Sequence, residues 1–314
     1  MQTILGSGGA IGIPLAKELK NYTDKVRLVA RNPKKVNESD ELVIADLTNA
    51  EQVDNAVAGS EVVYLTVGLK YSIKTWENAW PQIMGNTLNA CRKYHAKLVF
   101  VDNVYAYAPA AVAHMTEESP IAPKTQKGKV RARLLKMIFD SISNNGLEAM
   151  VARSADFYGP NVRTGFLNLS VIDKFKKKQK AYWQADAHKI HSFTYTTDAA
   201  KAIALLGNTP EAYNQTWHMP TSPEKWTGID FINFVAEATD AKPRYFTLTK
   251  TMIALTGIFS PLVRELKEMQ YQNDRDYFFD SSKFDKRFSF TPISYKEGIT
   301  QILKEEMPGS QQTN

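Results

Sequence analysis

Near its start the chain reads Thr3-Ile4-Leu5-Gly6-Ser7-Gly8-Gly9-Ala10-Ile11-Gly12, with Ile13-Pro14-Leu15-Ala16-Lys17-Glu18-Leu19-Lys20 directly behind. A short β-rich run enters a glycine-rich turn, and an amphipathic helix leaves it. Read as G-x-x-G-x-x-G, Gly6 allows the sharp turn, Gly9 lets backbone approach a ligand, and Gly12 packs the helix on the sheet. Ser7, Gly8, Ala10 and Ile11 complete a loop whose N–H groups, at the start of a helix, suit a pyrophosphate. A glycine triplet alone says little. Following a strand, opening a helix and heading a βαβ unit, this one reads as a nucleotide-binding loop.

Outward from that loop, the first 153 residues alternate apolar runs with amphipathic segments. Strands are expected at Gln2–Leu5, Val26–Ala30, Leu42–Ala45, Val62–Thr66, Leu98–Val101 and Glu148–Arg153. Helices are expected at Ile13–Lys20, Glu51–Ala58, Thr75–Tyr94 and Val130–Ser143. The alternation predicts an α/β fold, a doubly wound parallel sheet with its ligand at the carboxyl ends of the strands. The Pro- and Ala-rich gap from Asp102 to Lys129 follows the fifth strand and falls at that edge.

The second strand ends Val29-Ala30-Arg31-Asn32, with Lys34 and Lys35 close behind. An acid there would hold the ribose 2′-OH of NAD, and an Arg would accept the 2′-phosphate of NADP. No acid stands at the strand end. Arg31 offers a planar donor fork, with Asn32 and Lys35 beside it, so NADP(H) is favoured over NAD(H). Asp46, after the third strand, is expected near the adenine.

Beyond Arg153 the rhythm changes. Gly159-Pro160 breaks the chain, a basic run Lys174–Lys180 follows, and helical segments continue to Glu306. The expected division is 1–157 as a nucleotide-binding domain to which 187–206 return, 158–186 and 207–306 as a smaller, mostly helical substrate lobe, and 307–314 as a flexible tail. The chain has 314 residues, 43% of them hydrophobic and 23% charged, an ordinary globular content that excludes a disordered or collagenous chain. One cysteine, Cys91, excludes a disulfide framework, and scattered histidines argue against a metal site. No secretory signal or membrane span is expected, and a cytoplasmic location is. The net charge of +6 does not by itself point to nucleic acid, and the Lys174–Lys180 run reads as a solvated face.

Together these stretches resemble the short-chain dehydrogenase/reductase superfamily in its extended or atypical branch, the NAD-dependent epimerase/dehydratase type. Besides the glycine loop, the resemblance rests on Ala45-Asp46-Leu47, on Leu65-Thr66-Val67-Gly68 after the fourth strand, and on Gly85-Asn86-Thr87. It extends to Arg153-Ser154-Ala155-Asp156-Phe157-Tyr158-Gly159-Pro160, to His191–Ala200 and to Asp280-Ser281-Ser282-Lys283. It implies a Rossmann-type fold, Leu47, Thr66, Val67 and Gly68 among the cofactor contacts, a small-molecule carbonyl, hydroxyl or sugar-type substrate, and a homodimer through the helices at Thr75–Tyr94 and Val130–Ser143.

The catalytic positions depart from the family pattern. Val104-Tyr105-Ala106-Tyr107 matches Tyr107 to the family's V-Y-G tyrosine, which puts Asn103 where a Ser is expected. The Y-x-x-x-K pair falls on Thr125 and Lys129, so the Tyr is replaced and the Lys kept. A threonine hydroxyl is too weakly acidic to exchange a proton with a substrate oxygen at neutral pH. The alternatives are Lys129 acting with bound water, Tyr105 or Tyr107 entering the vacant place while Asn103 holds a carbonyl, or Lys129 merely holding the nicotinamide ribose. An oxidoreductase or epimerase/dehydratase-like enzyme is expected, with a catalytically inactive NADP(H) sensor or scaffold as the rival.

Overall fold

The computed structural model describes residues 1–249, 251–253, 255 and 261–306, so the tail expected at 307–314 lies outside the described residues. The strands are β1 (Gln2–Leu5), β2 (Val26–Ala30), β3 (Glu41–Ile44), β4 (Val62–Leu65), β5 (Lys97–Asp102), β6 (Ala149–Arg153), β7 (Asp156–Tyr158), β8 (Ala181–Gln184), β9 (Phe193–Tyr195), β10 (Thr216–His218) and β11 (Tyr245–Leu248).

One compact unit comprises Met1–Ala108, Pro120–Ser154 and Ala199–Met219. Its sheet runs β10-β6-β5-β4-β1-β2-β3, and every neighbouring pair is parallel. The order reverses between β1 and β4, the switch point that defines a doubly wound nucleotide-binding sheet. Central strands such as β1 and β4 are buried along their whole length, as a sheet covered on both faces requires. The covering helices include α1 (Gly12–Glu18), α2 (Ala50–Val57), α3 (Ile73–Tyr94) and α4 (Gln126–Asn145). Asn49 caps α2 by accepting from the Gln52 N–H, and Thr125 caps α4 by accepting from Gly128 N–H at 3.1 Å. The core between sheet and helices includes Val29, Leu65, Phe100, Trp80, Met84 and Leu134.

The second unit comprises Pro109–Ser119, Ala155–Asp198 and the chain from Pro220 onward. It holds two small parallel pairs, β7 with β9 and β8 with β11, beside several helices. Its core is aromatic: Trp183 stacks on Phe231, and Tyr295 meets Phe231 edge-on.

The division differs from the expected one at 109–119, 155–157, 187–198 and 207–219. Thr216–His218 forms a seventh strand of the large sheet, paired with β6, in a stretch where turn residues suggest no strand. Residues 187–198 lie in the second unit, because β9 pairs with β7. Pro109–Ser119 also lies there, through the bridge of Met115 with Phe279. Among the described residues no helix is long and apolar enough to cross a membrane, and no group of three acids, histidines or cysteines is placed to hold a metal.

Candidate functional site

The carboxyl ends of β1 to β4 surround a pocket of about 550 Å3. Its walls are the glycine loop (Gly6, Gly8, Gly9), the end of β2 (Ala30, Arg31, Asn32), the turn after β3 (Ala45 to Thr48), the turn after β4 (Val67 to Lys70) and one face of α3.

The glycines separate into two kinds. Gly6 sits at φ +98°, and a Cβ there would lie 2.4 Å from the Val67 Cα, so fold geometry demands the glycine. A Cβ on Gly12 would lie 2.6 Å from the Ser7 carbonyl oxygen. By contrast, a Cβ on Gly8 or Gly68 would meet nothing within 4 Å, and one on Gly9 only the Gly6 carbonyl at 3.8 Å. Packing does not explain these three, all of which line the pocket. A cradle left open to backbone approach fits a dinucleotide's pyrophosphate.

Supporting contacts hold the loop in shape. The Thr66 hydroxyl donates to the Gly6 carbonyl at 3.1 Å, and the Gly6 and Ser7 N–H groups donate to the Val29 carbonyl. Ser7 and Ile11 are buried and Ala10 half-buried; these residues shape the loop without lining the pocket. Asn86 on α3 donates to the Leu47 carbonyl at 3.0 Å and fixes the turn after β3. The Asp46 carboxylate accepts from the Thr48 N–H and hydroxyl, which, with a smaller pull from Arg31, hold it below the ordinary carboxylate range.

Arg31 is exposed in the pocket and makes no hydrogen bond or ion pair among the described residues. Lys35 is not brought to the pocket; its ammonium donates to the Glu38 carbonyl at 2.6 Å. Lys70, which sequence reasoning missed, adds a second exposed cation to the wall. Its only sequence signal was its place two residues after Gly68.

The expected catalytic residues are distributed differently. Thr125, at the position of the missing Tyr, is the cap of α4, so its hydroxyl already accepts from backbone. Lys129 is exposed and does not line the pocket, whereas Lys127, two residues earlier, is fully buried. Asn103 turns its side-chain oxygen back onto the Tyr105 N–H at 3.0 Å. Tyr107 does not enter the vacant place. It is fully buried, its hydroxyl is 2.6 Å from His218 Nε2, and the Arg153 guanidinium lies 4.3 Å over its ring. Tyr105 is half-buried, with its hydroxyl 3.4 Å from that of Tyr71.

Beneath these residues Asp102 pairs with Arg153 at 3.2 Å and with Arg131 at 3.5 Å, all three buried. In the second unit His191 is buried against Tyr277 and lies 3.1 Å from Asp156, the hydrogen-bonded structural role. Cys91 is buried within α3, and Lys178 of the basic run donates to the Thr239 and Asp240 carbonyls.

A family model described as the NAD dependent epimerase/dehydratase family matches residues 3–218. No curated protein sequence matches the chain. Among solved structures, the chain resembles Bacillus anthracis dTDP-glucose 4,6-dehydratase in complex with NAD, with a TM-score of 0.78 and 17% identity over 96% of this chain and 95% of that one. The Thermus thermophilus UDP-glucose 4-epimerase complex with NAD matches with a TM-score of 0.75 and 18% identity, over 96% of this chain and 98% of that one. Bacillus cereus UDP-N-acetylglucosamine 4-epimerase matches with a TM-score of 0.75 and 16% identity, over 96% and 94%. At such identities the structures speak for the fold.

Proposed function

The chain belongs to the NAD-dependent epimerase/dehydratase family, and from that premise we propose an NADP(H)-dependent enzyme that acts on a small carbonyl-, hydroxyl- or sugar-type substrate through a non-standard proton donor. The observation that carries this reading is the pocket itself: three glycines that packing does not require, facing an exposed Arg31 that makes no hydrogen bond or ion pair among the described residues. The similar dehydratase and epimerase structures with NAD support a nicotinamide dinucleotide in that place. When bound, it supplies a hydride acceptor and donor.

The chain's own residues divide the remaining work. Gly8, Gly9 and Gly68 admit the pyrophosphate, and Lys70 lies on the same wall. Asp46 and Leu47 flank the adenine, and Arg31 with Asn32 receives a 2′-phosphate as a charge-assisted fork. Thr125 caps a helix, and this supports a proton donor other than the hydroxyl at that position. Lys129 is exposed on the same helical turn and lies outside the pocket wall, which speaks against it as the proton donor.

The test is a fluorescence titration with NADPH and, separately, NADH. NADPH binds more tightly, and Arg31→Ala removes about tenfold or more of that preference while leaving NADH affinity nearly unchanged, as expected for one charge-assisted contact at an exposed site. Equal affinities for the two nucleotides in the native protein overturn the NADP assignment. Binding without turnover across a carbonyl screen leaves the sensor reading in its place.

A further inference from the structure

Beside the glycine-loop pocket, the carboxyl ends of β4 and β5 carry a second polar cluster. Tyr71, on the turn after β4, and Tyr105, on the turn after β5, hold their hydroxyls 3.4 Å apart. Trp76 from α3 stacks on the Tyr105 ring (centroids 6.0 Å, 18° between planes) and meets Tyr71 edge-on at 5.8 Å. The Lys127 ammonium, fully buried at the first turn of α4, lies 4.7 Å from the Tyr71 ring centre. One turn further, the Arg131 guanidinium lies 5.0 Å over Trp76 and 4.2 Å over Trp80, and it is electrostatically coupled to Tyr105. A Cβ on Gly128 would lie 2.5 Å from the Tyr105 carbonyl oxygen, so this glycine lets α4 press against the Tyr105 backbone.

The place of the cluster matters as much as its composition. The pocket covers the ends of β1 to β4, on both sides of the point where the strand order reverses. A dinucleotide that crosses this point continues over the ends of β4 and β5. Tyr71 is contiguous with the wall residues Leu69 and Lys70, and both tyrosines are half-exposed. Burying cations against aromatic rings has a desolvation cost, which a negative charge forming nearby would offset.

Resting on the dinucleotide reading above, we propose that Tyr105 is the catalytic proton donor of this site, and that Tyr71 and Lys127 are positioning residues that hold its hydroxyl and favour its anion. As hydride reaches a substrate carbonyl carbon, the phenol O–H bond breaks and its proton passes to the carbonyl oxygen. The carbonyl becomes a hydroxyl, the reduced dinucleotide is oxidised, and a phenolate remains. The reverse reaction returns the proton to that phenolate. Within this unit the charged groups around the tyrosine pair are Lys127, over the Tyr71 ring, and Arg131, over the Trp76 ring that stacks on Tyr105, both from α4, with Asp102 of β5 pairing Arg131 and Arg153 of β6 behind them. Tyr107, bound to His218 in the core, takes no part.

Nitration by tetranitromethane, which attacks phenolate, followed by peptide mapping of the cofactor-free protein tests this without any substrate. Tyr105 nitrates faster than half-buried Tyr245 by about tenfold, the change in phenolate fraction for one unit of pKa. Lys127→Met removes that advantage, and Lys127→Arg restores most of it. NADPH, added at a concentration that saturates its fluorescence signal, protects Tyr105. Nitration of Tyr105 no faster than Tyr245, or a rate indifferent to Lys127→Met in a protein that Lys127→Arg shows to be folded, overturns the proposal. Fast, Lys127-dependent nitration in a protein that binds neither nucleotide leaves an activated Tyr105 phenol but sinks the cofactor reading, and with it the hydride-coupled proton transfer.

Discussion

Adding one methyl group at each of two glycines of the same loop should have opposite consequences. At Gly6, φ is +98° and the new Cβ would lie 2.4 Å and 2.5 Å from the Cα and N of Val67. Neither neighbour is a flexible side-chain end, so backbone must move. The dihedral alone costs about 1–3 kcal/mol, and displacement of the turn after β4 adds to it. At Gly9 the new Cβ would meet only the Gly6 carbonyl, at 3.8 Å, and Gly9 is not among the positive-φ glycines. There Gly9→Ala should be neutral, or stabilising by about 0.4–1 kcal/mol through loss of unfolded-chain freedom. A change of 1 kcal/mol moves the Tm by roughly 2–4 °C in a domain of this order of size. Thermal unfolding should therefore show Gly6→Ala several degrees below the native protein and Gly9→Ala at or slightly above it. NADPH fluorescence should show the reverse severity relative to stability, with Gly9→Ala well folded yet binding at least about tenfold more weakly, a loss of 1.4 kcal/mol. If Gly9→Ala binds NADPH as tightly as the native chain, the open cradle is not where the pyrophosphate rests, and the argument from unexplained glycines fails.

Two further outcomes follow from single side chains. Thr125→Ala removes the cap of α4 and should lower unfolding stability in urea by about 1 kcal/mol while leaving NADPH affinity unchanged; Thr125→Ser should behave like the native chain. Lost turnover with unaltered stability would return Thr125 to the chemistry. Burial pushes the Cys91 thiol up from 9.0 to about 12, so between those values the folded chain keeps a proton that the unfolded chain releases. Stability must then fall as pH rises through that window, by at most about 1.4 kcal/mol per pH unit for this group, and be insensitive to Cys91 ionisation below it. Urea unfolding of Cys91→Ala beside the native protein from pH 8 to 11 isolates the effect, since the buried tyrosines are common to both; parallel curves would contradict it.

The parts of the fold that could be read in advance are those where burial leaves a pattern in the residues. Ile4 and Leu5, Val26, Leu28 and Val29, and Val62 to Leu65 are apolar because both faces of a parallel sheet are covered, and their strands begin and end within a residue of expectation. β10 left no such pattern. It has three residues, Thr216, Trp217 and His218, and it joins the sheet through backbone pairing with β6. Its His218 and the distant Tyr107 meet at 2.6 Å, a contact that no local spacing announces. The same holds for Asp102, which lies at the end of an apolar strand but gathers Arg131 and Arg153 from two other elements.

That the sequence reading names Lys129 and passes over the buried Lys127 has a more instructive cause. The five-residue family motif Y-x-x-x-K leads from Thr125 to Lys129 by counting along the chain. The expected helix begins only at Val130, so residues 125 to 129 are not placed on one of its faces. In the structure the helix begins at Gln126, with Thr125 as its cap. Helical geometry then decides which lysine points inward. Lys127, Arg131, Leu134, Ile138 and Ser141 recur at spacings of four, three, four and three, the stripe of a single helix face, and all five are buried. Lys129, Arg133 and Lys136 fall on the other faces and are exposed. The period of 3.6 residues, extended back one turn from the apolar run, therefore selects Lys127 from sequence alone. Of the two cations on a stripe otherwise made for the core, Arg131 is offset by Asp102 and Lys127 faces the Tyr71 ring, and a local violation of this kind is what a functional site is expected to leave in a sequence.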